Sequence, residues 1–244
     1  MACSAGYQSL QPERETLMVL AASSLTEPFE QLAEEFERRY PHVRVRLNFA
    51  GTQQLRVLLE QGLPADVVAT ANALHMRALG HRGLVSQPEL FARNRLVLVV
   101  LRGNPAGIGG LADLTRPHRL VLAASSVPAG GYARQVLSNL EAYFGQDFSE
   151  SVLKNLVSEE SNVKSVLMKV VMGEADAGFV YATDVVAVSD DSLIVVPIPT
   201  PANVTADYYI ARVAAEANQA LARDFIDFVL SPEGREVLSS YGFE

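Results

Sequence analysis

Hydroxyl side chains and helix-opening amides recur at one kind of place along this chain. Ser23-Ser24 follows the apolar run 17–20 and precedes a helical pattern, and Thr52 follows the alternating run 43–49 and precedes another. Pro128-Ala129 and Asn162-Val163 open two more helical patterns, and Tyr181 closes the apolar run 177–180. At a strand-to-helix junction the first helical N–H groups have no partner, and the helix dipole favours negative charge. Together, Ser24, Thr52, Ala129, Val163 and Tyr181 with their neighbouring amides would make a pocket rich in donors, poor in acceptors and formally uncharged. That chemistry suits a fully ionised tetrahedral oxyanion, which accepts hydrogen bonds and donates none. Neutral donors also avoid burying an unpaired cation in the empty protein. Blander roles stand beside this one: Ser24 or Thr26 as a helix cap, and Tyr181 as a core tyrosine with a satisfied hydroxyl.

The elements that must hold these groups can be read in order. The run 17–20 is a buried strand, and Phe29, Leu32, Ala33 and Phe36 share one helical face behind it, with Pro28 in the first turn. After Pro41, residues 43–49 alternate as a strand, and Leu55, Leu58 and Leu59 mark a short helix closed by Gly62. Asp66 leads into a strand at 67–69 and reads as a loop anchor; a short helix at 73–79 follows. Residues 95–101 form a strong strand, and the glycine-rich stretch 103–110 lacks a dinucleotide fingerprint and reads as a loop. Further strands are expected at 120–124, 154–157, 177–181, 193–198 and 204–213, with helices after 128, after 162 and in two segments near the end. Ser161-Asn162 makes a good N-cap for the helix that buries Val163, Val166, Leu167, Val170 and Val171. Such alternation implies an α/β architecture with mainly parallel sheets.

Composition narrows the function. With 244 residues and 49% hydrophobic residues, the chain can build one large domain or two lobes of roughly 100 residues each. A net charge of −8, without a basic block, argues against a nucleic-acid surface. No apolar run approaches the roughly 20 residues of a membrane helix, and no intact signal peptide is legible. His42, His75, His81 and His118 fit no metal spacing and are expected on surfaces or turns; Lys164 is expected to be solvated. Ser23 and Ser24 lack the G-x-S-x-G elbow of a nucleophile, so no enzyme is expected. The one cysteine, Cys3, followed by small polar residues, is either the lipid-bearing first residue of a mature bacterial lipoprotein or an incidental exposed thiol.

Ala21-Ala22-Ser23-Ser24-Leu25-Thr26, Asn48-Phe49-Ala50-Gly51-Thr52, Pro64-Ala65-Asp66, Val127-Pro128-Ala129-Gly130 and Gly178-Phe179-Val180-Tyr181-Ala182 resemble, in order, motifs of the periplasmic molybdate-binding proteins. So do Ser231-Pro232-Glu233-Gly234 and Tyr241-Gly242-Phe243, and the resemblance spans about residues 16–243. It implies a two-lobed, type II periplasmic-binding fold, with the ligand cleft between lobes and sheets flanked by helices. It also implies capture of molybdate or tungstate, without a cofactor, and delivery to the membrane permease of an ABC importer. Ser24 and Thr52 would supply hydroxyl and amide donors, Ala129 and Val163 amides, and Tyr181 its phenol. The chain departs from the usual pattern with Thr52 where many relatives have serine, with Asn72 where aspartate is common, and with Ala124-Ser125-Ser126 in place of Gly-Asp-Pro. The expected division is a tether at 1–15, lobe I at 16–94 and 198–244, and lobe II at 95–197. The protein is expected to be a monomer in the periplasm or otherwise outside the cytoplasm, with Cys3 as candidate lipid anchor. Another tetrahedral oxyanion such as sulfate is the alternative ligand.

Overall fold

The computed structural model describes residues 14–187, 192–214 and 218–244. Cys3 and the tether expected around it lie outside them. β1 (Glu15–Ala22) leaves through a single 3-10 turn into α1 (Thr26–Arg39), followed by β2 (Val43–Ala50), α2 (Thr52–Glu60), β3 (Val67–Thr70) and α3 (Ala73–His81). The long β4 (Val85–Leu101) leads by way of a loop to β5 (Leu120–Ala123), α4 (Pro128–Phe144), α5 (Phe148–Leu153), β6 (Leu156–Glu160) and α6 (Val163–Val171). The chain then forms β7 (Ala177–Tyr181), α7 (Ala182–Ala187), β8 (Leu193–Pro197), β9 (Thr205–Val213), α8 (Gln219–Leu230) and α9 (Pro232–Ser240).

The strands join in the order β2-β1-β3-β9-β4-β7-β5-β6, with β8 also on β4. β1 runs parallel to β2 and β3, and β5 runs parallel to β6 and β7. The ladders of β4 with β7, β8 and β9, and of β9 with β3, are antiparallel, so the sheet is mixed where parallel pairing was expected to dominate. The reason lies in β4 and β9, which carry the chain between the lobes as paired strands and need no helical crossover. β4 serves both lobes: residues 85–95 pair with β9, and residues 96–101 pair with β7 and β8. Two register shifts interrupt its first half, around Pro88 and between Leu90 and Ala92.

Strand alternation sends side chains to opposite faces, and each face of the first sheet has its own core. Val19 and Val67 pack with α1 and α8 residues such as Phe29, Phe36 and Phe225, whereas Leu20 and Val68 pack with Leu55 and Leu59 of α2 and Met76 and Leu79 of α3. Phe29, Phe36 and Phe225 meet edge to face, at centroid separations of 5.2 Å (Phe36–Phe225) and 6.3 Å (Phe29–Phe225). Asp66 is the expected anchor, accepting the Met18 N–H at 2.7 Å. Asn162 caps α6 by accepting the Ser165 N–H, as expected. One strand differs from the sequence reading: β6 covers Leu156–Glu160, because α5 occupies the residues just before Lys154 and its last turn extends to that residue.

Candidate functional site

The five junction residues come from five separate strand-to-helix turns, and the fold gathers all of them. Ser24, Thr52, Ala129, Val163 and Tyr181 line one small cavity enclosing about 200 Å³ of empty space. Thr52 and Val163 are the first residues of α2 and α6, and Ala129 is the second residue of α4, so their N–H groups belong to turns with no partner inside the helix. Pro128 opens α4 at the one position where a missing N–H costs nothing.

Each hydroxyl facing this cavity is set up to donate. The Thr52 Oγ1 accepts the Ala71 N–H at 3.2 Å, which leaves its own hydrogen free. The Ser24 Oγ lies 2.8 Å from the Tyr208 hydroxyl, and both residues are buried. The Tyr181 hydroxyl is fully buried and has no hydrogen-bond partner among the described residues. Burial, reinforced by Tyr208, pushes the Tyr181 phenol well above its ordinary range and keeps its proton on. Neither Ser24 nor Thr26 is a side-chain cap of α1: Thr26 Oγ1 instead donates to the Ser23 carbonyl. No histidine or carboxylate is hydrogen-bonded to either serine among the described residues, and no group of three or more His, Cys, Asp or Glu is placed there to hold a metal ion.

The cavity is closed over by contacts from α1, α2 and α3 on one side to the turns before α4 and α6 on the other. Lys164 Nζ pairs with Glu27 at 2.6 Å, Gln53 Nε2 donates to the Ser161 carbonyl at 2.8 Å, and His75 Nε2 meets the Ser126 carbonyl at 3.1 Å. Gly51 belongs to the same seam, for a Cβ at this position would fall far inside van der Waals contact with the Ser161 carbonyl.

Residues 17–244 match the model of a family described as bacterial extracellular solute-binding protein. The chain belongs to that family. It is 37% identical over 230 residues to the molybdate-binding protein ModA of Mycobacterium tuberculosis, a match covering 93% of this chain and 84% of the relative. Among solved structures, the periplasmic molybdate-binding protein of Azotobacter vinelandii superposes with a TM-score of 0.81 at 20% identity, covering 93% of this chain and 98% of the other. The sulfate-binding protein SubI of Mycobacterium tuberculosis gives 0.83 at 17% identity, covering 94% and 86%. At those identities the two structures establish the fold, a type II periplasmic-binding architecture of two lobes around a cleft.

Two expectations about charged side chains need correction within this family frame. His75 is buried, not on a surface, because the turn at Ser126 closes over it from the opposite lobe. A carbonyl can only accept, so Nε2 carries the proton; Nδ1 is unpartnered, and burial lowers the ring's pKa. Lys164 is not solvated: it pairs with Glu27, and its Nζ stands 4.0 Å from the Asp184 carboxylate.

Asp184 accepts the Tyr181 N–H at 3.0 Å through Oδ2, while Oδ1 is buried without a partner. Burial outweighs the nearby Lys164 charge and the backbone hydrogen bond, so its pKa is pushed up to about 7. A carboxyl raised above its unfolded value stabilises the fold fully below the unfolded pKa of roughly 4, and that contribution is lost as pH rises through the folded value. Asp184→Asn keeps an acceptor for the Tyr181 N–H and removes the titration. Melting curves of the variant minus wild type are therefore expected to show a stability gain that grows from pH 4 to above 7. A difference that stays flat over that range would contradict the assignment.

Proposed function

We propose that this protein is the solute-binding component of an ABC importer and captures molybdate, and also tungstate, between its two lobes outside the cytoplasm. One observation carries the reading: five neutral donor positions from separate junctions converge on one buried cavity. Ser24, Thr52 and Tyr181 give hydroxyl donors, and Ala129 and Val163 give amides. No cofactor takes part, the molybdenum entering as its oxyanion. The mycobacterial relative's name and its 37% identity support molybdate as the ligand. Lobe I comprises 16–94 and 198–244, and lobe II comprises 95–197. The partner is the importer's membrane permease, the protein acts as a monomer, and Cys3 is the candidate site of a lipid anchor.

A ligand that binds only the folded state stabilises it by about 2.7 kcal/mol at one hundred times its dissociation constant. For a chain of this size each kcal/mol raises the melting midpoint by roughly 2–4 °C. A thermal-shift panel is therefore expected to show several degrees with molybdate and tungstate, and much less with sulfate and phosphate. Sulfate is smaller and leaves donors stretched, and phosphate near neutral pH carries a proton that needs an acceptor. A larger shift with sulfate would keep the pocket and replace the ligand.

A further inference from the structure

Tyr208, on β9, reaches the cavity only through Ser24, and its surroundings fix the direction of that hydrogen bond. Its ring is fully buried and held edge to face by Phe91, Tyr181 and Phe243, with centroids 5.3–6.2 Å apart. The hydroxyl therefore has one position, 2.8 Å from Ser24 Oγ. Asn94, in β4, stands on the other side of the phenol. Its Oδ1 accepts the Arg95 N–H at 2.9 Å and its Nδ2 donates to Thr183 Oγ1 at 2.8 Å, which fixes the amide's orientation. The nitrogen keeps a second hydrogen, and Asn94 is among the groups that would stabilise charge on the Tyr208 oxygen. With Asn94 donating to Tyr208, the phenol's hydrogen has Ser24 Oγ as its acceptor. Ser24 then holds its own hydrogen toward the cavity.

We propose that Asn94 and Tyr208 are positioning residues that set a one-way chain, Asn94 to Tyr208 to Ser24, and thereby make Ser24 a donor that disfavours protonated oxyanions. This rests on the oxyanion reading of the cavity. Thr52 reaches the same polarity through a backbone N–H, which substitution of a side chain at position 71 leaves in place. The Ser24 arm is thus where polarity can be reversed. Asn94→Asp puts an acceptor behind the phenol, so Tyr208 donates to it, Ser24 donates to Tyr208, and Ser24 presents a lone pair to the ligand.

Molybdate and hydrogen arsenate are the probes, because near neutral pH both carry two negative charges and only the second carries a proton. The charge added by Asn94→Asp repels both alike, so their affinity ratio isolates hydrogen-bond polarity. Calorimetry is expected to show the molybdate-to-hydrogen-arsenate ratio falling about tenfold or more in Asn94→Asp, and no such fall when the same change is made in Tyr208→Phe. Tyr208→Phe keeps the ring and serves even where the buried aspartate does not fold. It is expected to weaken molybdate by about three- to tenfold, and to add little further loss on top of Ser24→Ala. A folded Asn94→Asp with the wild-type ratio overturns the proposal, as does a Tyr208→Phe loss that adds fully to that of Ser24→Ala. Wild-type protein that binds molybdate separates those failures from failure of the site reading, which a wild type binding neither anion would overturn along with the proposal.

Discussion

Gly51→Ala is expected to cost most of the protein's affinity for its ligand while leaving the empty protein folded and melting as before. The backbone at Gly51 has φ −61° and ψ 138°, a conformation any residue adopts, so alanine imposes no local strain. Its methyl group would instead meet the Ser161 carbonyl across the closed cleft, a backbone atom that cannot swing aside. Gln53, the other neighbour, is a flexible side chain and can move. The clash exists only when the lobes are together, so it lowers the population of the binding-competent form and divides the affinity by the same factor. Overpacking of this kind costs roughly 1–3 kcal/mol, or about 5- to 150-fold in affinity. Calorimetry beside a melt of the unliganded protein checks both halves. Wild-type affinity would mean that the cleft closes differently, and a lowered melting point would mean that Gly51 serves the fold.

Tyr181→Phe is expected to move stability and affinity in opposite directions. In the empty protein the Tyr181 hydroxyl is buried without a partner, a debt of roughly 1–3 kcal/mol that phenylalanine does not carry. The unliganded variant should melt several degrees above wild type. With a charged ligand in the cavity the same hydroxyl is worth roughly 1.5–3 kcal/mol, so affinity should fall about ten- to hundredfold. A residue that merely fills the core would lower stability and leave affinity alone. That outcome would remove Tyr181 from the site.

What the sequence disclosed follows from the range of the interactions involved. Ser24, Thr52, Ala129, Val163 and Tyr181 were visible because each sits at a local boundary between a strand pattern and a helix pattern, and all five line one cavity. Asp66 and Asn162 were visible for the same reason, as short-range anchors and caps. Tyr208 was not, since 184 residues separate it from Ser24 and nothing in its own strand marks it. Likewise Lys164 and Glu27 lie 137 residues apart, and His75 owes its burial to a turn in the other lobe. The first half of β4 was hidden by Pro88 and by the polar run Arg93-Asn94-Arg95, which mimic a loop and are accommodated by register shifts.

The placement of β9 also dictates an order of assembly. This strand lies between β3 and β4, in the middle of the first lobe's sheet, yet it begins only at Thr205. A chain emerging from its amino end can pair β1, β2 and β3 early, but β3 keeps a bare edge until the last 40 or so residues arrive. The strands β5, β6 and β7 are by contrast contiguous in sequence and find one another without waiting. Lobe II is therefore the half that can condense first, and lobe I the half whose completion is slow, because its central pairing closes a loop of well over 100 residues. Until then the open edge of β3 is the chain's exposed flank, the segment from which misassembly with another copy would start.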